Sequence, residues 1–209
     1  MESLAKISFS NAAIGDTIEV LHNIKSVDKN IAIFERSVSS LENEIIELLL
    51  ANVKIMANGL IDDINDQLQA QLFKFHCSGI VDDITKFLQH FKTISGEMLF
   101  NVSLNVIDTD MCRKFHTDVK SLRLLCTYTG AGTLWLPEIA ANRNALQTGK
   151  SNVVKDQNLI QQTQAGDVLI LKGVIYPGAQ AIIHRSPSIE ESSGKRLLLR
   201  IDINEGFNF

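Results

Sequence analysis

The chain lacks most of the features that place a protein at a glance. Of its 209 residues only three are cysteine, Cys77, Cys112 and Cys126. An odd, sparse set is no disulfide framework and reads as reduced thiols in a reducing compartment. Three prolines and twelve glycines exclude collagen-like or low-complexity character. Neither sign of charge dominates: 20 Lys and Arg against 24 Asp and Glu leave a net charge of −4, which argues against a strongly basic nucleic-acid binder. Long apolar runs are missing too. The richest, Ile45–Val53, is broken by Glu47 and Asn52 and is too short and too polar to span a bilayer. The N-terminal stretch has no apolar run of signal-peptide length. The expectation is a cytoplasmic protein with no membrane partner. P-loop, G-x-G-x-x-G and G-x-S-x-G patterns are absent, and with them the phosphate-cradling loop, the dinucleotide fingerprint and the nucleophile elbow.

What remains is 45% hydrophobic residues, enough for one sizeable core. The texture changes near residue 97. Before it, helical spacing dominates. Leu41, Ile45, Leu48, Leu49 and Val53 predict a helix from Ser39 to about Met56, opened by a capping box of Ser39 and Glu42. Further helices are expected from Gly59 or Ile61 to about Phe75 and from Val81 to about Ile94. In the last, Asp82 and Asp83 sit in the first turn and Gly96 is the stop. Asn30–Glu35 reads as a short strand at a sheet edge. Residues 1–97 thus form an α-rich lobe.

Residues 98–209 read as β. Phe100, Val102, Leu104 and Val106 alternate against polar neighbours, as in a half-buried strand. Leu122–Tyr128 is a second strand. The stretch 129–132 (TGAG) is a turn, and 133–137 (TLWLP) the return strand of a hairpin. Strands at 168–173, 181–184 and 196–203 follow. The polar stretch 138–157, with Gly149-Lys150-Ser151-Asn152, reads as a long loop. Short strands with turn signals and no intervening helices argue for an antiparallel barrel or jelly roll. The fold class is α+β: a double-stranded β-helix of the jelly-roll or cupin-like kind, with the helical lobe packed on it.

One constellation carries chemistry. His116 and Asp118, two residues apart on an extended segment, offer an imidazole and a carboxylate to one point. His184 stands 68 residues on, at the end of another strand. Two His and one carboxylate on one face of a metal are the facial triad of non-haem Fe(II) oxygenases. Arg196 and Arg200 share a face of the last, apolar strand. A guanidinium there needs a partner, either a dicarboxylate ligand or a loop carboxylate. Trp135 is core packing or a substrate wall beside the metal, and Arg143 in the polar loop is a candidate lid or substrate-binding residue. Arg113, Lys114 and Arg123 are either an attraction for an anionic substrate or a solvated face. A zinc site using Cys112 or Cys126 is the weaker use of the same region.

The order FHTD, LRLLCTY, GTLWLP, GDVLILKG, IIHRSP and KRLLLRID resembles the Fe(II)/2-oxoglutarate-dependent dioxygenase superfamily. The resemblance implies Fe(II) held by His116, Asp118 and His184, and 2-oxoglutarate with its far carboxylate on Arg196, twelve residues after His184. In the prolyl-hydroxylase-like branch a tyrosine on the strand after H-x-D contacts the same carboxylate, and Tyr128 stands at that place. A closer similarity, over roughly 25–205 and carried also by NIAIFER, is to an uncharacterised bacterial family with no assigned activity. The reading is an oxygenase acting on a small molecule or a side chain. The alternative is a cupin-like metal-binding or metal-sensing module without turnover.

Overall fold

The alternation over 100–107 sets the frame. In the computed structural model, which describes residues 9–148, 152–189 and 194–204, Phe100–Ile107 is a strand. Its Phe100, Val102, Leu104 and Val106 are buried on one face, against helices. In chain order the strands are β1 (Ala12–Gly15), β2 (Ile31–Phe34), β3 (Lys54–Gly59), β4 (Phe100–Ile107), β5 (Leu122–Thr129), β6 (Leu134–Leu136), β7 (Gln161–Gln162), β8 (Val168–Lys172), β9 (Ile183–Arg185) and β10 (Arg196–Ile203). The α-helices are α1 (Glu42–Leu50), α2 (Ile61–Leu72), α3 (Ser78–Ser95) and the short α4 (Arg143–Gln147). Seven strands form one sheet, in the order β1-β2-β8-β5-β10-β4-β3. Every pairing in it is antiparallel except β1 with β2. A smaller sheet has the order β7-β6-β9. The fold is mixed α/β with a large antiparallel sheet.

Three layers of apolar side chains follow from strand alternation. Leu122, Leu124, Cys126, Leu197, Leu199 and Ile201 face α2 and α3 across the main core. The opposite face of the large sheet, with Leu125, Leu169, Leu171, Ile31 and Ile33, meets Trp135 of the smaller sheet and Ile182 just before β9. The outer side of the smaller sheet is covered through Leu136, Ile183 and Ala145 of α4. No helix among the described residues is long and apolar enough to cross a membrane.

Several expectations are corrected. The first helix stops at Leu50 because Asn52 adopts a positive φ of 51°, a conformation Asn tolerates, and the chain returns as β3. The Ser39/Glu42 capping box does not form, since Ser39–Leu41 is a 3-10 turn with no side-chain cap. The third helix begins at Ser78, so Asp82 and Asp83 lie past its first turn. Its start is satisfied instead by Glu44 of α1, whose carboxylate accepts from the backbone N–H of Gly79 (3.1 Å) and Ile80 (2.8 Å). Gly96 ends that helix as expected, at φ 77°. β2 is not an edge, because β1 lies outside it. β6 does not return against β5. It crosses to the other sheet, where Gly132 packs on Thr163 so closely that a Cβ would strike the Thr163 carbonyl. The stretch 138–157 holds α4 and a bridge between Ala141 and Val154, while Gly149–Ser151 lies outside the described residues.

Candidate metal centre

His116 and His184 meet as an antiparallel bridge, each backbone N–H donating to the other's carbonyl at 2.9 Å. His184 in turn stands opposite Trp135 in the β9–β6 register. Directly opposed residues share a face, so both imidazoles and the indole project from the same side of the small sheet. The imidazole centroids are 4.6 Å apart. Asp118, two residues after His116, joins them. Its Oδ1 lies 3.7 Å from His116 Nε2 and its Oδ2 lies 3.6 Å from His184 Nε2. One ligand atom from each of the three falls within 4.8 Å of the others, the one such cluster of three or more His, Cys, Asp or Glu among the described residues. Metal–ligand bonds of about 2.1 Å at right angles put neighbouring ligand atoms about 3 Å apart, so a small inward movement closes the set on an ion.

The backbone settles which ring nitrogen faces the cluster. His116 Nδ1 meets the Lys114 carbonyl at 3.0 Å, and His184 Nδ1 faces the Ile182 carbonyl at 3.5 Å. A carbonyl only accepts, so each contact favours a proton on Nδ1 and turns Nε2 toward Asp118, where it can serve a metal once it carries no proton. Electrostatics separates the two imidazoles. Burial pushes His184 down to about 4, which keeps it neutral at ordinary pH. Burial pulls Asp118 upward, but His116, His184 and Arg123 outweigh it and hold the carboxyl at about 2. His116 is raised, chiefly by its contact with Asp118. His116 is a third exposed and Asp118 and His184 nearly covered, so the cluster opens on the His116 side.

The other candidates separate. Arg196 is 2% exposed, donates from Nη1 to the Ala131 carbonyl at 3.3 Å and leaves Nε without a partner. Among the described residues no carboxylate pairs with it, and burial lowers its pKa. Arg200, the more exposed of the two, is paired with Asp202 at 3.4 Å. Tyr128 is corrected. A bulge at Leu197/Leu198 and the parity of β5 turn it to the helix side, where its hydroxyl donates to Asp83 at 2.8 Å. The residue on the other face is Thr127, 1% exposed, whose hydroxyl has no partner. Trp135 is buried, edge-on to Phe9, and also flanks His184. Arg143 is corrected too. Its fork closes on Glu138 (2.8 and 2.6 Å) and on the Ala181 carbonyl (3.0 Å), so it ties α4 to its neighbours in the fold.

Cys126 lies on the helix side of β5, pushed by burial to about 12, and Cys112 is exposed; neither belongs to the cluster. Arg123, read from sequence as an attraction for an anionic substrate or a solvated face, is half-buried against Asp118. Its Nη1 donates to Asp118 Oδ2 at 2.7 Å, and Nε and Nη2 hold Asp202 at 2.6 and 3.1 Å. The signal for it was parity: Arg123 shares a face with Leu125 and Thr127, opposite Leu122 and Leu124.

Solved structures resemble this chain over most of its length at low identity. HygX from Streptomyces hygroscopicus with iron bound is 10% identical, with 90% of this chain and 87% of that one covered and a TM-score of 0.48. A bsmA homolog from Methylobium petroleophilum is 8% identical, with 90% and 92% covered and a TM-score of 0.48. A Pseudomonas putida prolyl-4-hydroxylase is 10% identical, with 88% and 96% covered and a TM-score of 0.42. No curated protein matches the sequence significantly. A family model described as a protein of unknown function, DUF1826, matches residues 15–202, and the chain belongs to that family.

Proposed function

We propose that the protein is an Fe(II)- and 2-oxoglutarate-dependent oxygenase whose two facing sheets are the halves of a double-stranded β-helix. Residues 98–209 form its core, the lobe of residues 1–97 packs on it, and β1, β2 and β3 extend its larger sheet. The observation that carries the reading is the convergence of His116 Nε2, His184 Nε2 and the Asp118 carboxylate, with both Nδ1 atoms turned to carbonyls. Two imidazoles and one carboxylate leave coordination positions open, the arrangement that suits iron and a chelating co-substrate. Iron and 2-oxoglutarate together would supply the oxidising power to hydroxylate an unreactive C–H bond, with succinate and CO₂ as co-products.

The protein's own part is binding, orientation and exclusion of water. Arg196 is a buried cation with an unpartnered Nε, a costly state that the far carboxylate of a dicarboxylate relieves through a bidentate pair. Thr127, opposite Leu198 and so on the Arg196 face of the sheet, takes the hydroxyl role expected of Tyr128. Trp135, beside His184, supplies an apolar wall for a small-molecule or side-chain substrate. A metal-binding module without turnover leaves Arg196 and Thr127 without a role. Purified protein with Fe(II), 2-oxoglutarate and O₂ should release succinate, and Asp118→Ala should abolish the release while the fold is kept. Equal succinate from the two proteins would sink the assignment.

A further inference from the structure

We infer that Arg123 is a positioning residue of the metal centre, one that orients Asp118 and sets which of its oxygens donates. The inference rests on the metal-centre reading above and adds a residue to it. Three ion pairs run in series behind the triad. Asp118 Oδ2 accepts from Arg123 Nη1 at 2.7 Å, Arg123 Nε donates to Asp202 Oδ1 at 2.6 Å, and Arg200 Nε lies 3.4 Å from Asp202 Oδ2. The side chains of Arg123, Asp118 and Asp202 are 17%, 11% and 10% exposed, so the pairs are screened little by solvent.

The geometry fixes the carboxylate from behind. Arg123 uses its Nε and Nη2 edge on Asp202 and its Nη1 on Asp118, so the planar guanidinium cannot swing without breaking contacts at both ends. β5 and β10 carry the two anchors, with Arg123 directly opposite Asp202 in the ladder. A guanidinium proton on Oδ2 draws charge from that oxygen and leaves Oδ1 the stronger donor. Asp118 therefore offers a metal one strong oxygen in a fixed direction and does not close on it with both. That keeps coordination positions free for a co-substrate. Close backbone packing holds the same segment from the other side, where Val174 N–H donates to the Asp118 carbonyl at 2.9 Å. Lysine cannot reproduce the arrangement, because a point charge on a flexible stem lacks the fork that spans two carboxylates.

The test is a Co(II) titration of three full-length proteins: wild type, Arg123→Lys, and the double variant Arg123→Gln/Asp202→Asn. The double variant removes one positive and one negative charge, so the net charge of the site is unchanged while Asp118 loses its guanidinium partner. Circular dichroism and thermal melts report the fold. Wild type should bind one equivalent of Co(II). The double variant should keep the fold, bind Co(II) about 10–100-fold more weakly, and show shifted d–d bands as Asp118 turns on the ion. Arg123→Lys should fall between, and it carries the same test if the double variant does not fold. Affinity within about twofold of wild type and a superimposable spectrum in both variants would make Arg123 only a strut between β5 and β10, and would overturn the inference alone. A wild type that binds no Co(II) would overturn the metal-centre reading and this inference with it.

Discussion

Replacing His184 tests whether the triad imidazole is held neutral by burial. In the metal-free protein burial pushes its pKa from 6.5 to about 4. The folded state then binds fewer protons than the unfolded chain between those values. Stability contributed by neutral His184 is full above pH 6.5 and is lost as pH falls through 4. The shift of about 2.5 units corresponds to about 3 kcal/mol at 1.36 kcal/mol per unit. His184 is 5% exposed, so solvent screening takes little from this figure. His116, whose pKa is raised, acts in the opposite sense: its contribution is present below pH 6.5 and fades as pH rises through its folded value. Denaturant unfolding of metal-free wild type and His184→Gln at pH values from 7 to 4 isolates the His184 contribution. The wild type should lose about 3 kcal/mol more than the variant over that range, out of the 5–15 kcal/mol typical of a domain. Parallel curves for the two proteins would refute the reasoning.

Further expectations follow from individual contacts. Thr127→Val should weaken 2-oxoglutarate binding to the metal-loaded protein several-fold, whereas Tyr128→Phe should leave it unchanged, because the Tyr128 hydroxyl is spent on Asp83; isothermal titration with Zn(II) as the metal reads both, and the reverse ranking would restore Tyr128 to the site. Arg36→Ala should destabilise the fold by about 3 kcal/mol, since it removes a two-point pair with Asp83 at 2.7 Å and leaves that carboxylate nearly buried. A thermal melt within a degree or two of wild type would show the pair to be idle. Arg143→Ala should leave metal and 2-oxoglutarate affinity untouched, because its donors serve Glu138 and Ala181.

Much of this was legible in the chain because it is local. Periodicity two marks β4, periodicity 3.6 marks α2 and α3, and the i, i+2 rule brings His116 and Asp118 to one point. What was hidden depends on partners far away in sequence. Three residues of strand at Leu134–Leu136 do not reveal which sheet they join, and the turn before them suggested the wrong one. The end of α1 rests on one backbone conformation at Asn52, inside a pattern that otherwise continues helically. Glu44 capping α3 and Arg123 bridging Asp118 to Asp202 are pairings across 35 and 79 positions of chain, which local spacing does not encode. Tyr128 is the instructive miss. Its shared parity with Leu124 and Cys126 places it on the apolar, helix-facing side of β5, whereas the family resemblance points to the opposite face.

The most direct measurement is the visible charge-transfer absorption of an Fe(II)–2-oxoglutarate chelate. Fe(II) and then 2-oxoglutarate are added anaerobically to wild type, Asp118→Ala and Arg196→Ala. Wild type should develop the band, Asp118→Ala should lose it with the iron, and Arg196→Ala should need a far higher 2-oxoglutarate concentration to reach it. Iron bound by wild type with no band at saturating 2-oxoglutarate would contradict the oxygenase assignment and leave a metal-binding module in its place.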